Sequence, residues 1–427
     1  MSQNAVHPIA FKAQVNVANA KQLKERDAKR AQHHQAGHQP HGPAARHRHH
    51  GQHPPPDSNP PSSSSPAGPP SSNLVPVTNA SVTYLCDTKF GENDKMCKLL
   101  IDTGECFSYF FLLFHFFVPF AWSSNTWCMM PPYEATSTAQ DMRKEFSIQY
   151  GSGATSGNLY TDRVTLSPTL VIQQQVIGVA TQASDMNGID GILGIGPVDL
   201  TQGTTADRSP IPTVTDCCMK QGLIKTESIG IYYEPTTPGG AQAVTGELSF
   251  GGPDSSKYEG ELNYVPITKT APASAYWGID QTISYGGQKI MSLSAGIADT
   301  GTTLCMVPQA TFEAYQKATG AQLDRNTGLL TVSQEQYDRM QSMMFNIGGV
   351  DYELTKNAQI WPRSRNAELG IGEDQISLIF ASMGEMENNG LCFINGYTFL
   401  QRFYSVYDTS NSQVGFATTA HTMAESN

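Results

Sequence analysis

The sequence predicts a mainly β protein made of two similar β lobes with a cleft between them. Only 15% of its 427 residues are charged, while 38 glycines and 26 prolines supply many turns. Such a composition favours short strands over long helices. A four-residue motif also occurs twice, as Ile-Asp-Thr-Gly at residues 101–104 and Ala-Asp-Thr-Gly at residues 298–301. Each copy follows an apolar stretch, and this repetition predicts two lobes of one design.

Short runs of alternating polar and apolar residues predict antiparallel strands from residue 73 onward. The clearest are residues 81–89, 145–150, 163–166 and 230–233. Helices are predicted over residues 211–221, 308–319 and 333–344, the last with Ser333 as its N-cap. Each half also contains a later apolar pair that leads to a glycine, at residues 192–194 and 393–396.

The charge of the chain is divided unevenly. Residues 1–72 hold eight basic and three acidic side chains with nine of the 11 histidines, whereas residues 73–427 hold 19 basic and 35 acidic side chains. An acidic body repels phosphates, which excludes nucleic-acid binding by that part. The basic leader and the acidic body are expected to attract each other.

The leader divides into a predicted helix over residues 18–32, a histidine-rich tract and a linker. Residues 51–72 contain eight prolines and seven serines, too few apolar groups to fold. The predicted organisation is therefore a leader and linker over 1–72, a first lobe over 73–234 and a second lobe over 235–427. The junction between the lobes is placed near residues 234–240.

The repeated Asp-Thr-Gly motif predicts a pair of carboxylates. Glycine permits a tight turn after a strand, and threonine supplies a hydroxyl to fix that turn. If Asp102 and Asp299 meet between the lobes, like-charge repulsion prevents both from ionising, so that one proton is shared. One carboxyl then acts as base and the other as acid. The reaction implied is attack of an activated water on a peptide carbonyl.

From residue 73 to its C-terminus the chain resembles the pepsin-like aspartic endopeptidases. The resemblance rests on eight ordered segments, namely residues 101–104, 149–153, 190–200, 211–216, 254–260, 273–279, 298–304 and 393–408. It implies the bilobal pepsin-like acid protease fold and an aspartic endopeptidase that needs no cofactor or metal. Polypeptides would be its substrates and a monomer its expected state.

The resemblance also implies roles for single residues. Asp102 and Asp299 correspond to the catalytic pair, and a closing hairpin, the flap, corresponds to Tyr150, Gly151, Ser152 and Gly153. Trp127 is similar to the family tryptophan that hydrogen-bonds the flap tyrosine. The residues expected to support the catalytic loops are Thr103, Gly104, Ser123, Thr300, Gly301 and Thr302.

One departure from the family pattern lies inside the first motif. The family reads Asp-Thr-Gly-Ser-Ser-Asn-x-Trp without a break, but here 18 residues, 105–122, separate Gly104 from Ser123. Three hypotheses compete: a natural lid or membrane-seeking loop, an inactive relative that binds or inhibits proteins, and a retained intron or faulty gene model. We favour the last, because phenylalanine and leucine codons are pyrimidine-rich, as are the tracts before splice acceptors. The apolar run over 106–122 is short for a membrane span and has no basic flank.

The eight cysteines of the chain predict one disulfide. Cys86 and Cys97 flank a turn centred near residues 91–92, which would place them opposite each other in a hairpin. The adjacent Cys217 and Cys218 are predicted to be helical. Three others are predicted to be buried thiols, Cys128, Cys305 and Cys392.

Members of this family are made as zymogens whose basic prosegment covers the cleft, and the basic leader fits that arrangement. Its removal is expected near residues 71–74. Secretion or a vacuolar location is implied, although residues 1–20 show no secretory signal. Asn79 begins an acceptor sequence for N-glycosylation.

Overall fold

A computed structural model describes residues 6–15, 19–37, 82–105, 108–111, 133–149, 154–183, 189–235, 246–384 and 389–427. The elements of the first part are β1 (His7–Val15), α1 (Ala20–Ala36), β2 (Val82–Phe90), β3 (Lys95–Asp102), β4 (Tyr109–Phe111), β5 (Gln140–Gln149), β6 (Ala154–Ser167), β7 (Leu170–Ala183), β8 (Gly191–Gly194), α2 (Val214–Lys220) and β9 (Ser228–Tyr233). Strands predominate, as the composition predicts.

Strands also predominate in the second part of the chain. Its elements are β10 (Gly246–Phe250), β11 (Glu259–Pro266), β12 (Gly278–Tyr285), β13 (Gln288–Ala298), β14 (Cys305–Val307), α3 (Gln309–Thr319), β15 (Gln322–Leu323), β16 (Leu330–Val332), α4 (Gln334–Asp338), β17 (Met343–Ile347), β18 (Val350–Leu354), β19 (Ile376–Ser377), β20 (Phe380–Ser382), β21 (Phe393–Asn395), α5 (Tyr397–Leu400), β22 (Phe403–Asp408) and β23 (Gln413–Thr418). The described residues also contain four short 3₁₀ helices, of which the longest is Arg363–Leu369.

The strands within the described residues form three sheets. The largest has 13 strands in the order β11-β23-β22-β9-β10-β1-β2-β3-β8-β4-β7-β6-β5, and the second has seven in the order β18-β17-β12-β13-β21-β14-β20. A small third sheet has the order β15-β16-β19. The leader strand β1 lies inside the largest sheet, antiparallel to both β10 and β2. The leader is therefore part of the fold and is not merely appended to it.

The two halves repeat one arrangement around the motifs. In the first half β8 pairs in parallel with β3, so that Gly194 lies beside Asp102. In the second half β21 pairs in parallel with β13, so that Asn395 lies beside Ala298. The two later apolar landmarks of the sequence are these partner strands. Each Asp-Thr-Gly motif therefore follows a strand that is paired in parallel with a later strand, β8 in the first half and β21 in the second.

The predicted helices are present but their bounds differ. α2 begins after Thr213, whose side chain accepts a hydrogen bond from the N–H of Asp216 in a capping box. α3 lies where it was predicted. Ser333 is confirmed as the N-cap of α4, but that helix has five residues, and residues 343–347 form a strand instead. The alternating burial of β17 explains the difference, since period-two burial belongs to a strand.

The predicted disulfide between Cys86 and Cys97 is wrong. The β2–β3 register pairs Thr88 with Cys97 and Cys86 with Leu99, so the two cysteines are offset by two positions. The turn occupies residues 91–94 and is centred one residue later than the sequence indicates. The six cysteines within the described ranges are all free, Cys86, Cys97, Cys217, Cys218, Cys305 and Cys392.

Candidate active site

The two Asp-Thr-Gly motifs lie next to each other, one at the end of β3 and the other directly after β13. Asp102 ends β3 and Asp299 follows β13, and both side chains are fully buried. Both positions are held from their partner strands: the backbone N–H of Ile195 donates to Asp102 O at 2.9 Å, and the N–H of Asp299 donates to Asn395 O at 3.1 Å. Pairing within the sheets therefore fixes the backbone position of each aspartate.

Two threonines join the loops by reciprocal hydrogen bonds. The N–H of Thr103 donates to Thr300 Oγ1 at 3.0 Å, and the N–H of Thr300 donates to Thr103 Oγ1 at 2.9 Å. Each hydroxyl donates onward to the opposite strand, to Ala298 O and to Ile101 O respectively. Because every donor and acceptor in this set is buried and paired, the separation of the loops is tightly fixed.

Each carboxylate accepts a hydrogen bond from the glycine of its own motif. The N–H of Gly104 donates to Asp102 Oδ1 at 2.9 Å, and that of Gly301 donates to Asp299 Oδ1 at 3.0 Å. Thr302 Oγ1 also donates to Asp299 Oδ2 at 2.6 Å. A Cβ at either glycine would collide with the opposite aspartate, Asp299 for Gly104 and Asp102 for Gly301. Only glycine permits the carboxylates to approach this closely.

An arginine of the leader helix lies between the two aspartates. Arg30 Nη2 is 2.5 Å from Asp102 Oδ1 and 3.0 Å from Asp299 Oδ1, while Arg30 Nε is 2.7 Å from Asp299 Oδ2. The guanidinium is thus bidentate on Asp299 and also bonded to Asp102. Its side chain is only 12% exposed, so these ion pairs are little screened by solvent.

The charges around the pair shift its pKa values in opposite directions. Burial raises the pKa of Asp102, and the nearby charge of Asp299 raises it further against the attraction of Arg30. Burial also acts to raise the pKa of Asp299, but the charge and hydrogen bonds of Arg30 and the close contact with His34 outweigh it and hold that pKa well below its usual range. Burial acts to lower the pKa of Arg30, but both carboxylates raise it well above its ordinary value.

Further residues of α1 contact the same region. Arg26 Nη2 donates to Gly301 O at 3.3 Å, and Asp27 Oδ2 accepts from the N–H groups of Thr303 and Leu304 at 3.1 and 2.8 Å. His34 Nε2 lies 3.5 Å from Asp299 Oδ2. One face of the helix therefore covers the turn that follows β13.

The start of the 18-residue insert lies beside the dyad. Glu105 O accepts a 2.6 Å hydrogen bond from the N–H of Gly196. Burial and the charge of Asp102 raise the pKa of Glu105 well above its ordinary value. The strand β4, which belongs to the insert, pairs in parallel with β7 and antiparallel with β8. β14 has the equivalent place after the second motif, parallel to β20 and antiparallel to β21.

Six of the predicted site residues lie outside the described part of the chain. They are Ser123, Trp127, Tyr150, Gly151, Ser152 and Gly153. The strands that flank the predicted flap are described, and they pair antiparallel with Gln149 opposite Ala154. Predicted residues that the structure brings together are Asp102, Thr103, Gly104, Asp299, Thr300, Gly301 and Thr302.

Sequence reasoning missed the helix residues that contact the aspartates. Arg30, His34 and Asp27 belong to no motif, and neither the predicted helix over residues 18–32 nor the basic charge of the leader singles out any of them. A signal was nevertheless present, because the buried positions Ala20, Leu23, Asp27, Ala31 and His34 follow a spacing of three to four residues. Such spacing marks one helix face, and it places Asp27, Arg30 and His34 toward the same side.

Comparison with known proteins decides the family. The model of the eukaryotic aspartyl proteases matches residues 83–419. The chain belongs to this family. It is 48% identical over 361 residues to polyporopepsin of Irpex lacteus, which covers 84% of this chain and 100% of that protein. It is 29% identical to cathepsin E of Rattus norvegicus, over 78% of this chain and 79% of the relative.

A solved structure supports the same assignment. The crystal structure of the aspartic proteinase from Irpex lacteus matches this aspartyl protease with a TM-score of 0.74 and 46% sequence identity, covering 81% of this chain and 96% of that one. The predicted family and the mainly β, bilobal fold are confirmed, and the protein is an aspartic endopeptidase. Among the residues that the structure describes, no helix is long and apolar enough to cross a membrane.

Proposed function

We propose that Asp102 and Asp299 are the catalytic carboxyls of this endopeptidase. Once Arg30 is withdrawn, two buried carboxyls held by one hydrogen-bonded frame cannot both carry a charge, so they share one proton. The ionised carboxyl takes a proton from water, whose oxygen bonds to the peptide carbon. The other carboxyl donates its proton to the carbonyl oxygen. As the tetrahedral intermediate collapses and the C–N bond breaks, the first carboxyl gives the proton it took from water to the nitrogen, and the second takes back a proton from a hydroxyl of the intermediate.

The frame around the pair supports this assignment. The Thr103 and Thr300 bonds fix the distance between the loops, and the N–H groups of Gly104 and Gly301 orient one oxygen of each carboxylate. Displacement of a catalytic group by about 1 Å can cost about 100-fold in rate. A rigid frame is therefore what this reaction requires, and acid pH is expected to keep the shared proton in place.

We further propose that residues 1–72 are a prosegment that keeps the enzyme latent. The contact of Arg30 with both aspartates is the observation that carries this proposal. The guanidinium occupies the space between the carboxyls where water and the peptide carbonyl must react, and it removes the need for a shared proton. β1 secures the other end of the same segment by pairing with β2 and β10.

Cleavage of a denatured protein at acid pH, with and without pepstatin, tests the catalytic assignment. Asp102→Asn and Asp299→Asn are each expected to abolish cleavage, because an amide cannot exchange the proton. Asp87→Asn, at an exposed position on β2, is the matched control and should keep full activity. Cleavage that survives Asp299→Asn in purified, folded protein would contradict the mechanism.

The location of the enzyme follows from the same proposal. A basic segment that keeps the dyad latent until the pH falls suits secretion into an acid medium or delivery to an acid vacuole. Fractionation of cells that make the full chain, with antibodies to residues 20–36 and to the C-terminal part, should find the processed form outside the cell or in the vacuole. Processed enzyme in the cytosol would contradict this.

A further inference from the structure

His34 is a buried histidine next to the dyad that the proposed reaction does not use. Its side chain is 1% exposed, and its ring lies 4.7 Å from that of Tyr276 in an edge-on arrangement. Neither Nδ1 nor Nε2 has a hydrogen-bond partner of good geometry within the described chain. Asp299 Oδ2 lies 3.5 Å from Nε2.

The surroundings of His34 favour its neutral form. Burial lowers the pKa of His34, and the charge of Arg30 one turn earlier lowers it further. The close contact with Asp299 and the charges of Asp299 and Asp102 raise this pKa but offset the decrease only in part. Asp299 already accepts hydrogen bonds from Arg30, Thr302 and Gly301. A protonated His34, as a second cation beside Arg30, would therefore gain little further stabilisation from Asp299. Other titratable groups nearby are Tyr276 and His33, whose ring is 6.0 Å from that of His34.

We propose that His34 is the acid sensor of the prosegment helix: the helix docks on the aspartates only with this imidazole neutral, and a released helix is trapped in its protonated form. This inference rests on the proposed latency and adds to it the group that responds to mild acid. The ion pair of Arg30 with Asp299 cannot supply that response, because Asp299 stays ionised until the pH is far lower.

The sign of the effect follows from the two pKa values. A free histidine titrates near pH 6.5, and docking lowers this pKa. Well above pH 6.5 both states are neutral and docking does not depend on His34. Below it the free helix binds a proton that the docked helix does not, so release becomes up to about tenfold more favourable for each further pH unit. Between pH 7.5 and pH 5.5 the gain is about tenfold in all.

Asp27 acts in the opposite direction on the same helix. Burial raises its pKa to about 6, against Arg26 and the N–H groups of Leu304 and Thr303. Its docked form therefore takes up a proton on acidification and opposes release. Asp102 and Glu105 belong to the body of the enzyme and are the same in the wild type and in a His34 variant. A comparison between variants isolates the contribution of His34.

Hydrogen exchange of residues 20–36 in the full chain, labelled for seconds after a pH jump, measures the opening of α1. After correction for the intrinsic pH dependence of exchange, the opening constant is compared between wild type and His34→Phe, which keeps a ring against Tyr276. The ratio of the two constants should rise about tenfold from pH 7.5 to pH 5.5. His33→Gln, which removes the adjacent histidine, should follow the wild type.

A second measurement does not depend on any variant. In the wild type labelled at its histidine rings, NMR should show the imidazole of His34 still neutral at pH 5.5, while exposed histidines titrate near pH 6.5. A constant ratio between wild type and His34→Phe, or titration of docked His34 at or above pH 6.5, overturns the inference while latency stands. A wild-type α1 that is unprotected at pH 7.5 overturns latency and the inference together.

Discussion

Thr103 and Thr300 exchange backbone-to-hydroxyl hydrogen bonds of 3.0 and 2.9 Å across the boundary between the two motifs. These two hydrogen bonds link the loops that carry the aspartates directly to each other. Because the two hydroxyls also donate to Ala298 O and Ile101 O, removal of one hydroxyl leaves both a buried N–H and a buried carbonyl with fewer partners.

Replacement of Thr300 by alanine should lower the free energy of unfolding by about 1–3 kcal/mol, since a buried N–H is left unpaired. Peptide hydrolysis by the activated enzyme should fall as well, because the loops lose their fixed separation. Thr300→Ser keeps the hydroxyl and is the matched control. Denaturant unfolding and kcat/KM measure the two effects. Equal stability of the alanine and serine variants would contradict the stated role of the hydroxyl.

Replacement of Arg30 by glutamine should abolish latency. Loss of one partner of a buried ion pair costs about 3–5 kcal/mol, which corresponds to at least about 100-fold in the docking equilibrium. The initial rate of hydrolysis of a quenched peptide, recorded near pH 6 before any processing, should rise accordingly. Lys29→Gln, at the exposed neighbouring position, should stay as latent as the wild type. An Arg30→Gln variant that hydrolyses the peptide no faster than the unprocessed wild type would refute the role given to this arginine.

Replacement of Asp27 by asparagine should make release of α1 more sensitive to acid. The pKa of Asp27 is raised to about 6 when docked, so its contribution to docking grows as the pH falls through 6 and is lost as the pH rises. Without it the opening constant should gain about fourfold more between pH 7.5 and pH 5.5 than in the wild type. Hydrogen exchange of α1 measures this, and Glu25→Gln on the exposed face is the control. An unchanged pH profile would show that Asp27 does not titrate in this range.

Deletion of residues 105–122 should raise kcat/KM by about 100-fold, because it joins Ser123 to Gly104 and restores an uninterrupted loop around Asp102. It also removes the buried carboxyl of Glu105 from the vicinity of the dyad. Glu105→Gln separates the two causes, since it removes the charge and keeps the loop length. Undiminished activity of the full chain would favour a natural loop. Transcript sequencing that shows these codons in mature message would refute the retained intron.

Much of the fold could be predicted because the determining interactions are local or repeated. The Asp-Thr-Gly turns, the alternating strands and the cap at Ser333 each depend on residues within a few positions. The pairing of Cys86 could not be predicted, since it depends on where a four-residue turn is centred. The contact of Arg30 with Asp102 joins residues 72 positions apart, and no local pattern specifies such a distance.

The place of β1 has a consequence for the lifetime of the enzyme. Phe11 of this strand pairs with Gly246 on one side and Cys86 on the other, and its ring packs against Tyr84 and Tyr233. The proposed removal of the leader would discard the strand between β10 and β2 together with Phe11, and would expose two strand edges that are now paired. A processed molecule that unfolds lacks β1, which was present in the sheet when the full chain folded, and is expected to refold less readily. Its persistence in acid is then governed by how slowly it unfolds and no longer by an equilibrium with its unfolded chain.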